Sequence, residues 1–154
     1  MVLILGFVLG MSAGLRSMAP VAIVAWAAQL PWPDLRQTNL ALMAAPVTAY
    51  VFTVFACVEL VFDKLPFTPS RLGAGPLGAR VICGGLCAAT LCAATHQPVV
   101  GGAIAGGLGG VVGAFAGHRI RRYLTTNLKT PDLLVALVED AIAIGSAVLV
   151  VSRF

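Results

Sequence analysis

Four stretches of this chain, residues 40–62, 77–95, 98–117 and 133–151, are apolar over nearly their whole length. Each comes close to the ~20 residues that a helix needs to cross the hydrocarbon core of a bilayer. A soluble fold would have to show much of that surface to water, which monomers rarely do. Composition agrees: 59% of the residues are hydrophobic and 10% charged, with a mean hydropathy of +0.97, where ordinary soluble domains are about a quarter charged. The expected architecture is all-α, a polytopic transmembrane helical bundle. It forms a single integral membrane domain over residues 1–154, with four full spans plus an N-terminal pair of shorter helices. The lipid bilayer is therefore its first partner.

The N-terminal pair is a separate problem. Residues 1–14 and 18–30 are each too short to cross alone, and Gly14-Leu15-Arg16-Ser17 interrupts them. They form either one long broken helix or a re-entrant hairpin. Broken backbone at membrane depth is tolerated only where protein or a water-filled cavity covers it. Residues 1–14 lack the basic start of a signal peptide and are expected to be retained.

The formal net charge of +4 reports orientation in such a chain and does not point to nucleic acid. Lys64, Arg71 and Arg80 cluster around one connection, and Arg119, Arg121, Arg122 and Lys129 around another. The positive-inside rule makes both cytoplasmic and places Arg36, His96 and Arg153 outside, in what is expected to be the cell's inner membrane. Trp26 and Trp32 at the outer connection and Tyr123 at the inner one suit interfacial positions. Cys57, Cys83, Cys87 and Cys92 all lie in apolar segments without C-x-x-C spacing, so they read as small hydrophobes; no metal site, disulfide framework or cofactor is expected.

Small residues form two rows on the helix expected over 98–117. Gly102, Gly106, Gly110 and Ala114 make one row; Gly109, Gly113 and Gly117 make the other. Four-residue spacing puts each row on one face, and small faces let helices approach closely in lipid. Gly84, Ala88 and Cys92 repeat the register on the preceding helix. Packing within the bundle is the plainer reading. Two faces would also leave one free for a second copy, and a homo-oligomer is expected.

Ionisable residues inside spans are costly and raise a functional hypothesis. Here they are Arg16, Glu59, Asp63, Arg80, Glu139 and Asp140. Glu59 and Asp63, four apart, share a helix face. Glu139 shares its face with Asp132, Ala136, Ala143 and Ser146, whereas Asp140 shares its own with the bulkier Leu133, Leu137 and Ile144, so Glu139 is the expected interior residue. If the break near Arg16 dips inward, all six meet in the inner half of the bundle. Ser17 is placed to cap the helix beginning at Met18, and the free N–H groups there, with Arg16 beside them, would make an anion site. Alternatively, the same charges pair only with one another and lock the packing.

Gly14-Leu15-Arg16-Ser17, Glu59-Leu60-x-x-Asp63-Lys64-Leu65-Pro66, Thr68-Pro69-Ser70-Arg71, Gly117-His118-Arg119-x-Arg121 and Glu139-Asp140-Ala141-Ile142-Ala143 together resemble the signature of a family of small membrane proteins, domain of unknown function 4126. The resemblance spans nearly the whole chain. It implies a polytopic membrane protein whose characteristic positions are Arg16, Glu59, Asp63, Lys64, Pro66, Arg71, Glu139 and Asp140, and it supplies no activity. The function expected is a transporter or channel for a small ion or anionic substrate, a lipid headgroup being one form. Arg16 and Ser17 would contact the anion, and the carboxylates would carry protons or a coupling cation. A structural or assembly protein is the alternative. No nucleophile–base pair, metal-ligand set or phosphate loop points to an enzyme, and Ser17 and Ser70 read better as helix caps.

Overall fold

A computed structural model describes residues 1–30, 35, 38–63 and 73–154. Its regular elements are all helical: α1 (Val2–Leu15), α2 (Met18–Ala27), a 3₁₀ turn (Ala41–Ala44), α3 (Pro46–Phe62), α4 (Ala74–Ala94), α5 (Val99–Thr126) and α6 (Asp132–Val151). Three of these, α4, α5 and α6, are long and apolar enough to cross a membrane. The chain is accordingly a membrane-type helical protein, with α1, α2 and α3 as shorter apolar helices.

Two expected boundaries are corrected. The span expected over 40–62 is a 17-residue helix preceded by the 3₁₀ turn. Pro46 causes this, because its ring disfavours helical backbone at the residue before it, and Ala45 is extended (φ −75°, ψ 132°). The span expected to stop at residue 117 instead continues to Thr126, making α5 a helix of 28 residues, about 42 Å long. His118, Arg119, Arg121 and Arg122 are thus helical rather than part of a loop. Charge alone does not end a helix when the side chains can reach polar surroundings.

The N-terminal pair turns back on itself. Leu3 lies against Gly101 at the start of α5, and Gly14 lies against Gly110 and Ala114 further along it. Ser12 meets Ser146 and Arg16 meets Asp140, so α1 runs antiparallel to α6. In α2, Trp26 bonds Thr53 and Gln29 bonds the Ala44 carbonyl, while Leu30 shares a pocket with Val151 and Phe154. Both outer ends of the pair therefore lie where α6 finishes, and the turn at Arg16 and Ser17 is buried inside the bundle. The pair is a hairpin with splayed legs. Pro20 explains where it breaks: within a continuous helix its ring would strike the carbonyl four residues back, that of Arg16, and Arg16 is the residue that takes extended backbone (φ −137°, ψ 117°).

α1, α4 and α5 form the tightest layer, held by glycines. A Cβ added at Gly106 would strike the Gly84 carbonyl oxygen, and one at Gly113 the Met11 carbonyl oxygen. The Gly102, Gly106 and Gly110 row faces α4, while the Gly109, Gly113 and Gly117 row faces α1. Both faces are occupied within one chain, which corrects the expectation that one is left for a second copy. The matching row on α1 is Gly6, Gly10 and Gly14. α3 packs chiefly on α2, burying Ala49 and Ala56 while Val54, Phe55 and Phe62 point outward. Ile104 and Leu108 of α5 and Leu134 and Leu149 of α6 are likewise exposed. The interior is built of small residues and the exterior of large apolar ones, which suits lipid as solvent.

Candidate functional site

The apex of the hairpin carries the most heavily buried charge among the described residues. Arg16 has no exposed surface. Its Nε–H donates to Asp140 Oδ1 on α6, and Nη1–H donates to Asp63 Oδ2 at the end of α3. Nη2 is buried and has no hydrogen-bond partner among the described residues. Asp63 and Asp140 are themselves largely covered, with side chains 13% and 10% exposed.

One turn back on α3, Glu59 accepts the backbone N–H of Ser17 at Oε1 and that of Met18 at Oε2, both at 2.8 Å. These are the first free donors of α2, where a carboxylate is favoured by hydrogen bonding and by the helix dipole. Ser17 does occupy the N-cap position, but its hydroxyl makes no capping bond; its backbone is helical there (φ −66°, ψ −50°), unlike the extended geometry that lets a cap side chain reach back. The capping group comes from another helix. Where a ligand's anion was expected at this terminus, the structure places the chain's own Glu59.

Glu139 and Asp140 are both buried, yet they serve different neighbours. Asp140, expected to be the less interior of the two, is the residue that reaches Arg16. Glu139 faces α5, where its Oε1 would lie 3.1 Å from a Cβ at Gly117 and its Oε2 accepts Arg121 Nη1–H at 3.4 Å. Both carboxylates are interior because α6 rests on α1 and α2 as well as on α5, so the face turned toward the hairpin is covered too. Arg80, also buried, occupies the same layer, its carbonyl oxygen 2.7 Å from a Cβ built at Gly110. Of the expected site residues, Arg16, Ser17, Glu59, Asp63 and Asp140 thus converge directly. Lys64, Pro66, Ser70, Arg71, Trp32 and Arg36 lie outside the described residues.

A second polar group was legible only in part. Arg121 donates from Nε to Asp132 Oδ1 (2.7 Å) and from Nη2 to Asp132 Oδ2 (2.5 Å), as well as to Glu139. It borders a cleft of about 320 Å³ between α1, α5 and α6, whose walls include Val8, Leu15, Ile120, Val138 and Ile142. Arg16 does not line this cleft. Asp132 and Glu139 were already expected on one face of α6; that Arg121 of α5 joins them was not. All four cysteines are free thiols, three of them buried.

A family model described as Domain of unknown function (DUF4126) matches residues 3–152. Neither a curated protein nor a solved structure matches the chain.

Proposed function

We propose that this chain, which belongs to the family described as Domain of unknown function (DUF4126), is a small transporter of anions whose binding element is the apex of the re-entrant hairpin. The observation that carries the reading is Arg16 Nη2, a donor of a fully buried guanidinium with no acceptor among the described residues. Leaving such a donor unmade costs about 1–3 kcal/mol, more for a charged group. An anionic oxygen arriving there would remove that cost. Asp63, Asp140 and Glu59 are then resident counter-ions that the substrate displaces, each able to take up a proton or a coupling cation as it lets go. Half-helix termini buried among helices are a recurrent way for transporters to hold ions. The proposal includes an inner-membrane location with the α5–α6 connection cytoplasmic, and assembly as a homo-oligomer, since three membrane-length helices with three shorter ones among the described residues are few for a complete pathway.

A second reading has its own support. Arg16 is wholly enclosed and the cleft at Arg121 does not reach it, as a purely structural lock would require. Proteoliposomes separate the two. Vesicles would be given inward gradients of chloride, acetate or phosphate, with membrane potential clamped by potassium and valinomycin and internal pH followed by a trapped dye. Transport predicts protein-dependent entry of one of these anions, slowed in Asp140→Asn, which removes a carboxylate able to take up the proton or coupling cation. The lock predicts no protein-dependent entry of any of them, with Asp140→Asn lowering only the melting temperature.

A further inference from the structure

We infer that the cleft between α1, α5 and α6 is a binding site for an anionic phospholipid, with one acyl chain in the slot and the phosphate on Arg121. The slot's walls are aliphatic from Val8 and Ile142 to Leu124 and Val135, a length of α6 spanning residues 135–142 and of α5 down to its last turns. Its two hydroxyls offer a ligand little. Ser12 and Ser146 are 2.7 Å apart and bond each other, with the carbonyls of Val8 and Ile142 also in reach. Whatever occupies the slot is therefore apolar along its buried length.

The mouth differs. Arg121 stands there with its side chain 16% exposed. It spends three N–H groups, on Asp132 and Glu139. A guanidinium has five, which leaves two for a further acceptor. The exposed Arg119 and Arg122 share that last part of α5, and Lys129 follows it. Residues 119–139 carry four basic groups against Asp132 and Glu139, a net +2 over the last turns of α5 and the connection after it, which favours a phosphate over a neutral headgroup. Asp132 and Glu139 fix the guanidinium plane, so the remaining donors are already oriented. Gly113 and Gly117 keep the α5 wall low. This site is separate from the Arg16 apex and stands whether or not the chain transports anions.

The test uses full-length protein in mild detergent, with melting temperature followed as dioleoyl phosphatidylglycerol, dioleoyl phosphatidylcholine or glycerol phosphate is added. Phosphatidylglycerol should raise the melting temperature at concentrations where the other two do not. Ile142→Trp, which fills the slot from a 55% exposed position, should abolish that shift. Arg121→Gln should weaken the apparent affinity about tenfold, as expected for one lost charge-assisted contact. Equal shifts with phosphatidylcholine, or a phosphatidylglycerol shift that survives Ile142→Trp, would overturn the site. So would native mass spectra showing a lipid-free dimer that Ile142→Trp splits, because a second copy would then be the occupant.

Discussion

Arg16 takes its partners from far along the chain, Asp63 being 47 positions on and Asp140 124. Three charged side chains thereby tie the hairpin to α3 and to α6 at once. In low-dielectric surroundings, removing one member of such a set leaves an uncompensated charge, at about 3–5 kcal/mol. Asp140→Asn should therefore lower the melting temperature sharply in mild detergent. Glu139→Gln should cost less, because its amide oxygen can still accept from Arg121 and the guanidinium keeps both bonds to Asp132. A larger loss from Glu139→Gln than from Asp140→Asn would reverse the roles assigned here. At this scale the sequence was half legible. Charges inside apolar spans announce that they need partners, and helix spacing groups Glu59 with Asp63. Which of two adjacent carboxylates faces the apex depends on which helix lies opposite, and that information sits in α1 and α2 rather than in α6. The capping of α2 by Glu59 was hidden for the same reason: a donor–acceptor match between separate helices has no local signature.

Among elements, α1, α4 and α5 depend on absence of side chains. A methyl at Gly106 would strike the Gly84 carbonyl oxygen and come within 2.6 Å of the Ala88 Cβ. Neither obstacle can swing aside, since one is backbone and the other a Cβ fixed to it. Gly106→Ala should destabilise by about 1–3 kcal/mol or more, the usual range for overpacking. Gly145 is the internal control: it is helical, and a Cβ there meets nothing within 4 Å. Gly145→Ala should stabilise by about 0.5–1 kcal/mol through helix propensity alone. Thermal unfolding of the two variants side by side checks the pair, and equal effects would mean the α4–α5 contact is looser than it looks. The glycine rows of α5 were plain in the sequence because six glycines recur at four-residue spacing in two rows. The three on α1 are the same signal in a shorter helix. Helix ends were less legible: Pro46 does mark the start of α3, but nothing in the polar tail of α5 marks a stop before Asn127, where the helix gives way to the turn before Pro131.

For the whole molecule, the hairpin fixes a direction. Both its legs open at the end where α6 finishes and the α4–α5 turn lies, while its apex, the Arg121–Asp132 pair and the α5–α6 connection belong to the other half. The basic residues of α5 gather at that second end, so the positive-inside rule turns a packing asymmetry into an orientation. Single cysteines test it. In a Cys57→Ser background, which removes the one exposed thiol and leaves the buried Cys83, Cys87 and Cys92, Gln97→Cys and Asn127→Cys place a thiol at exposed positions in the two turns. Neither substitution alters the basic residues that set the orientation. A membrane-impermeant maleimide should label Gln97→Cys in intact cells and Asn127→Cys only after the membrane is opened. The reverse pattern would leave the fold intact and invert the orientation. The hairpin would then enter from the cytoplasm, Arg16 would lie nearer the outer leaflet, and the lipid site at Arg121 would face the wrong surface for the anionic headgroups of the inner leaflet.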